Sequence, residues 1–170
     1  MSGRIGVVIV NWNSGVRLVQ CIESIDSIED CARLFETIVV VDNASGDGSA
    51  DLTLRTTVPL TVIRNSVNRG FAAACNQGAR LLRSQYLLFL NPDTRLSKEG
   101  VLLALEAMDR GRDRGVGIVG LQLLDDKGAV TRTCCRLPSA GSLLWELIGL
   151  NRLFNCWPLS YRMREFDHLS

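Results

Sequence analysis

Apolar residues in this chain gather in short, nearly unbroken runs. Ile5 to Val10, Thr37 to Val41, Leu60 to Ile63 and Tyr86 to Leu90 are such runs, and Val116 to Val119 is a candidate fifth. A strand with one wet face alternates apolar and polar residues, whereas a strand covered on both faces does not. The runs therefore predict strands of a parallel sheet buried on both sides. Between them the spacing becomes helical. Ser14 to Ile28 places Val16, Leu18, Val19, Ile22 and Ile25 near one face, with Ser14 as candidate cap. Asn68 to Leu82 is rich in alanine, which suits a helix lying close on a sheet. Ser97 is positioned to cap a helix whose Val101, Leu102, Leu105 and Met108 share a face, and Gly111 and Gly115 end it. Strands alternating with helices imply βαβ units and an α/β fold.

After Gly120 the pattern changes. Leu121 to Thr133 reads as a short hairpin turning at Asp125-Asp126-Lys127-Gly128, and Leu143 to Leu150, continuing to Phe154, is a longer apolar stretch. The last dozen residues have no clear period. With 170 residues, 46% of them hydrophobic and 22% charged, the chain fits one ordinary globular domain.

Charge excludes some partners. Nineteen basic residues against eighteen acidic ones leave no broad positive field for non-specific nucleic-acid binding. The Ile5 to Val10 run is too short for a signal peptide, and no run approaches the ~20 residues of a membrane span. These features lead to the expectation of a cytoplasmic protein, with peripheral contact at the inner face of the membrane left open. Cys21, Cys31, Cys75, Cys134, Cys135 and Cys156 form no C-x-x-C pair, and His168 is the sole histidine. A zinc site thus has no evident ligand set, and the cysteines are expected to be buried thiols. His168, close to the terminus, is expected to be simply exposed.

In open α/β sheets, ligands bind beyond the carboxyl ends of the strands. The segments following the first four runs are polar and small: Asn11 to Gly15, Asp42 to Ser49, Arg64 to Gly70 and Asn91 to Arg95. Any one of them could be ordinary turn chemistry. Four on the same edge make a binding edge. The first lacks G-x-G-x-x-G and G-x-x-x-x-G-K-[ST], which argues against a nicotinamide or flavin cofactor and against a phosphate loop of the hydrolase type. Asp42, at the end of the second run, can accept hydrogen bonds from a nucleotide. Asp93 follows Pro92, which restrains Asn91 to an extended conformation and fixes the turn. A carboxylate held that way suits a hard cation such as Mg²⁺, whose shell substrate phosphates and water complete. The competing reading is that Asp93 only caps the helix beginning near Ser97.

The runs Val7-Val8-Ile9-Val10-Asn11-Trp12-Asn13 and Val40-Val41-Asp42-Asn43-Ala44-Ser45-Gly46-Asp47-Gly48-Ser49 resemble the opening of family-2 glycosyltransferases. Asn68-Arg69-Gly70-Phe71-Ala72-Ala73-Ala74-Cys75-Asn76-Gln77-Gly78 and Leu88-Phe89-Leu90-Asn91-Pro92-Asp93-Thr94 resemble that family's later motifs, in the right order. Asn-Pro-Asp in place of Asp-x-Asp is similar to the rhamnosyltransferase-like branch. The likeness runs from about residue 5 to residue 135.

The resemblance implies a GT-A fold: a Rossmann-like, mostly parallel sheet flanked by helices. It implies a donor-binding half over residues 1–120 and the incomplete beginning of an acceptor-side half over 121–170. It further implies inverting transfer of a sugar, rhamnose among the candidates, from a nucleoside-diphosphate sugar to a glycan or lipid-linked acceptor in cell-surface polysaccharide synthesis. Asn11, Asn13, Asp42, Asn43, Ser45 and Asp47 would line the nucleoside side of the donor. Arg69, Gly70 and Asn76 would lie near it, and Asn91 with Asp93 would meet the diphosphate, Asp93 through Mg²⁺ or Mn²⁺. Family members run longer, so the chain reads as C-terminally truncated, its catalytic base expected beyond Ser170 and its own transfer activity negligible. Asp125, Asp126, Glu165 and Asp167 are poor substitutes for that base. The Leu143 to Phe154 stretch is expected to be a core helix, with an interfacial helix as the other reading. Two other functions compete: a non-catalytic nucleotide-sugar-binding or interaction module of the same fold, and a nucleotidyltransferase. The second would need a glycine-rich, basic first loop, where this chain has Asn11-Trp12-Asn13-Ser14-Gly15.

Overall fold

The computed structural model describes residues 5–131. The end of the hairpin at Arg132 and Thr133, Cys134, Cys135, Cys156, the Leu143 to Phe154 stretch, Glu165, Asp167 and His168 lie outside the described residues. The chain divides into two compact units, one ending at Leu105 and one beginning at Glu106.

In the first unit, four strands form a parallel sheet: β1 (Ile5–Asn11), β2 (Phe35–Asp42), β3 (Leu60–Arg64) and β4 (Tyr86–Leu90), in the order β3-β2-β1-β4. All four runs that the sequence marked are strands. Their helices are α1 (Val16–Asp26), a single turn α2 (Cys31–Leu34), α3 (Phe71–Ala79) and α4 (Lys98–Gly111), whose last turns belong to the second unit.

Each central strand sends alternate residues to two different cores. Ile5, Val7 and Ile9 of β1 and Ile38 and Val40 of β2 pack with Leu18, Cys21, Ile22 and Ile25 of α1 and with Val101 and Leu105 of α4. Val8 and Val10, with Val39 and Val41, face Ala74 and Cys75 of α3. Helices thus cover both faces, which is why β1 and β2 read as apolar runs with no alternation. Small residues on α3 let it lie close to the sheet. A Cβ on Gly78 would come 2.6 Å from Val8 Cγ1 and 3.1 Å from Val41 Cγ2.

Several expectations need correcting. β3 and β4 are the outer strands of this sheet and are only half-covered, and Leu87 and Phe89 are exposed. Their apolar character therefore does not mean burial on both faces here. Val116 to Val119 forms no strand: Ile118 is exposed, and the segment has no ladder partner among the described residues. Ser14 is not the side-chain cap of α1. The helix starts after Gly15, and Ser14 contributes its carbonyl to Arg17 N–H. α3 begins at Phe71 rather than Asn68, because Gly70 at φ 82° lies outside the helical region. Leu102 faces away from the Val101 and Leu105 side of α4. β2 and β3 are joined by an irregular connection, residues 43–59, and not by a helix.

Other readings hold. Ser97 Oγ accepts the Gly100 N–H at 3.1 Å, as an N-cap does. In the second unit a 3-10 turn, Arg112–Arg114, and left-handed Gly115 follow α4. There β5 (Leu123–Leu124) pairs with β6 (Val130–Thr131) around the Asp125 to Gly128 turn. Cys21, Cys31 and Cys75 are buried free thiols.

Candidate functional site

Parallel pairing aligns the carboxyl ends of the strands: Asn11 stands opposite Asp42, Asp42 opposite Arg64, and Ile9 opposite Leu90. The four polar loops therefore open on one edge. β1 lies between β2 and β4, so the chain leaving β2 at Asp42 and that leaving β4 at Asn91 are two strand spacings apart, about 10 Å.

The first cluster joins the β1 and β2 loops. Asn11 has no exposed surface, and its Nδ2 donates to Asp42 Oδ1 at 2.9 Å, Ser45 Oγ at 3.0 Å and Ser49 Oγ at 2.9 Å. Asp42 Oδ2 also accepts the Ser45 N–H at 3.3 Å, so this 5% exposed carboxylate is held from both sides. Asn13, at φ 51°, donates its N–H to Ser45 Oγ and accepts the Gly46 N–H on Oδ1. Asp47 accepts the Ser49 hydroxyl and N–H on Oδ1 and the Gly15 N–H on Oδ2. The Ser49 bonds foremost, then the Gly15 one, hold the Asp47 carboxyl below the usual carboxylate range. Ala44 takes a left-handed φ of 64°, a conformation that strains a residue with a Cβ. Asn11 Oδ1 is buried with no partner among the described residues.

The second cluster joins β2, the loop after β3 and α3. Asn43 is buried, and its Oδ1 accepts the Arg69 N–H at 3.0 Å. Its Nδ2 donates to Asn68 Oδ1, which also accepts the Gly70 N–H. The Arg69 side chain and Asn76 are exposed.

The third is the turn after β4. Thr94 donates both its N–H, at 3.2 Å, and its hydroxyl, at 2.7 Å, to the Asn91 carbonyl, closing a β-turn with Pro92 at its favoured second position. The Cys21 thiol of α1 points at the same carbonyl, 3.6 Å away. Burial pushes that thiol up to about 12, against a Thr94 hydrogen bond and helped by the nearby Asp93 charge. Ser24 Oγ, one turn further on, accepts the Leu96 N–H. Asp93 itself is exposed, and Ser97 is the cap of α4.

Among the described residues no three His, Cys, Asp or Glu side chains group as metal ligands. Asp93 on its rigid turn fits the sparser type of site, in which one carboxylate suffices because phosphates and water complete the shell. The sequence readily marked the carboxylates. It placed Ser49 and Asn65 in loops of this edge and Gln77 in a motif without giving any of them a role, and it read Cys21 only as a buried thiol. Among the described residues no helix is long and apolar enough to cross a membrane.

Comparison with known proteins agrees with this architecture. The glycosyltransferase YfnE of Bacillus subtilis (strain 168), itself uncharacterised, is 32% identical over 103 residues, covering 59% of this chain and 26% of that protein. The structure of S. aureus TarS 1-349 in complex with UDP-GlcNAc superposes with a TM-score of 0.57 at 20% identity, over 71% of this chain and 37% of that one. The mannosyltransferase PcManGT from Pyrobaculum calidifontis, in complex with GDP-Man and Mn²⁺, gives 0.54 at 21% identity, over 64% of this chain and 33% of that one. The chain thus spans about a quarter of its curated relative and about a third of these two structures. The fold is α/β and of the GT-A kind, a parallel sheet flanked by helices. The family model of Glycosyl transferase family 2 matches residues 6–167, so the chain belongs to glycosyl transferase family 2.

Proposed function

We propose that residues 5–95 hold the nucleoside diphosphate of a sugar donor, with the nucleoside against the Asp42 to Ser49 loop and the diphosphate against the Asn91 to Thr94 turn. The observation that carries this reading is the placing of the two carboxylates. Asp42 and the Asp93 turn leave strands on either side of β1 at one edge, about 10 Å apart, a span that a nucleoside diphosphate covers. Asp42 retains acceptor capacity beyond its bonds to Asn11 and Ser45, and a ribose or base can use it.

Cleavage of the sugar–phosphate bond leaves charge on the diphosphate, and a bound Mg²⁺ or Mn²⁺ would stabilise that charge as a Lewis acid. Asp93 would hold the cation, Asn91 would flank it, and the exposed Arg69 and the N–H groups at the start of α3 would face the phosphates. The reaction we assign to the whole protein is inverting transfer to a glycan or lipid-linked hydroxyl. A rhamnose donor is suggested by Asn91-Pro92-Asp93 alone. Such transfer also requires a general base to take the proton of the acceptor hydroxyl. The cytoplasmic side of the membrane is the setting in which nucleotide sugar and lipid-linked acceptor would meet.

Calorimetric titration with UDP, GDP and dTDP, each with and without Mn²⁺, tests the reading. We expect one base to be preferred, metal to tighten binding, and Asp93→Ala to remove the metal effect while leaving the metal-free affinity within about twofold. Binding that is metal-independent and indifferent to Asp93→Ala would remove Asp93 from the site.

A further inference from the structure

We infer that Asn65 and Gln77, bonded to each other and linked through Asn43 to the Arg69 backbone, form an amide latch that sets Arg69 against the donor. They are thus positioning residues for nucleotide binding. The inference rests on the donor-site reading above and assigns a role to two residues outside it.

The latch is continuous. Asn65 Nδ2 donates to Gln77 Oε1 at 3.0 Å, and Gln77 Nε2 returns a bond to Asn65 Oδ1 at 3.0 Å. The second Nδ2 proton of Asn65 goes to Asn43 Oδ1 at 3.2 Å, and that same oxygen accepts the Arg69 N–H. The Asn65 N–H donates to the Asp42 carbonyl at 2.9 Å, extending β2 pairing by one step. The loop from Asn65 to Gly70 is therefore fastened at its start to β2, at Arg69 to a buried amide, and across its base to α3.

Geometry explains why amides serve here. A primary amide presents two donors and an acceptor, so a reciprocal pair satisfies both partners and still leaves Asn65 a proton for Asn43. Gln77 precedes Gly78, where a Cβ would collide with Val8 and Val41 of the sheet, so one end of the latch is set on a closely seated helix. Asn43, 2% exposed, directly follows Asp42. The strand end that presents the carboxylate thus also aims the arginine. Asn65 gives its two side-chain protons to Gln77 and Asn43, while the Arg69 side chain is exposed at the edge.

The test uses the whole chain, with UDP and GDP in the presence of Mn²⁺ as probes. Gln77→Met keeps the volume and removes the amide, and Asn65→Ser is the second variant. Each is expected to weaken nucleotide affinity about tenfold, to speed hydrogen exchange of the Arg69 amide, and to have less than a twofold effect in an Arg69→Ala background. Unchanged affinity and exchange in Gln77→Met, beside a weakened Arg69→Ala, overturns the latch alone. An equal loss in both backgrounds also overturns it, because the amides then do not act through Arg69. Full affinity in Arg69→Ala overturns the placing of Arg69 at the donor instead. Faster Arg69 exchange needs no ligand, so that arm decides the latch even if neither nucleotide binds.

Discussion

Replacing Asn11 should reverse the usual ranking of conservative and drastic substitutions. Asn11→Ala removes one bond to a carboxylate, worth about 1.5–3 kcal/mol, and a second proton shared by Ser45 and Ser49, worth about 0.5–1.5 kcal/mol. It also removes Oδ1, a buried acceptor with no partner among the described residues, which relieves about 1–3 kcal/mol. The net loss is about 1–2 kcal/mol. Asn11→Asp keeps the shape and keeps the unpartnered oxygen, but sets a second carboxylate oxygen where Nδ2 stood, 2.9 Å from Asp42 Oδ1 in a fully buried place. An uncompensated buried charge costs about 3–5 kcal/mol. The isosteric change is therefore expected to be worse than truncation by about 2 kcal/mol or more. At about 2–4 °C per kcal/mol for a domain of this size, the two variants should differ in Tm by several degrees. The exchanged pair Asn11→Asp with Asp42→Asn re-forms the amide–carboxylate bond with its ends swapped. It should recover most of the stability and little of the nucleotide affinity. Urea melts at neutral pH measure all three. Asn11→Asp as stable as Asn11→Ala, or an exchanged pair no better than Asn11→Asp, would refute the reasoning.

Two further outcomes are expected. Gly78→Ala gains about 1 kcal/mol of helix propensity but drives a methyl into Val8 and Val41, where overpacking costs about 1–3 kcal/mol. A urea melt should show a net loss of up to about 2 kcal/mol, whereas a gain in stability would mean that α3 is not seated as described. Asp47 is held below the usual carboxylate range, so its support for the loop is complete above the pH at which an unfolded aspartate ionises and is lost as pH falls through the lower, folded value. Exchange of the Gly15 and Ser49 amides, followed by NMR, should be insensitive to pH-driven loosening between pH 5 and 8. It should quicken in acid beyond the intrinsic rate, and Asp47→Ala should abolish that acid response.

Much of this protein was legible in one dimension. The runs at Ile5, Thr37, Leu60 and Tyr86 declare strands because an apolar stretch bounded by small polar residues has few other ways to bury itself. Ser97 and Gly115 announce the ends of a helix through contacts a few residues long. The four polar loops fall on one edge because parallel pairing leaves them nowhere else to go. Partnership among polar groups was not legible, since it joins residues that only the sheet order makes neighbours. Asn11 finds Asp42 and Ser49 at separations of 31 and 38 residues, and Cys21 meets Asn91 across 70. From the sequence Asn11, Asn43 and Asp47 read as donor contacts. The tertiary structure bonds all three to the protein itself, burying the two amides and leaving Asp93 and the Arg69 side chain exposed. It also decided that Leu87 and Phe89 stand on an open outer strand, which the apolar pattern of that run could not reveal. Periodicity specifies what a segment must hide, whereas strand order and loop packing determine which atoms meet.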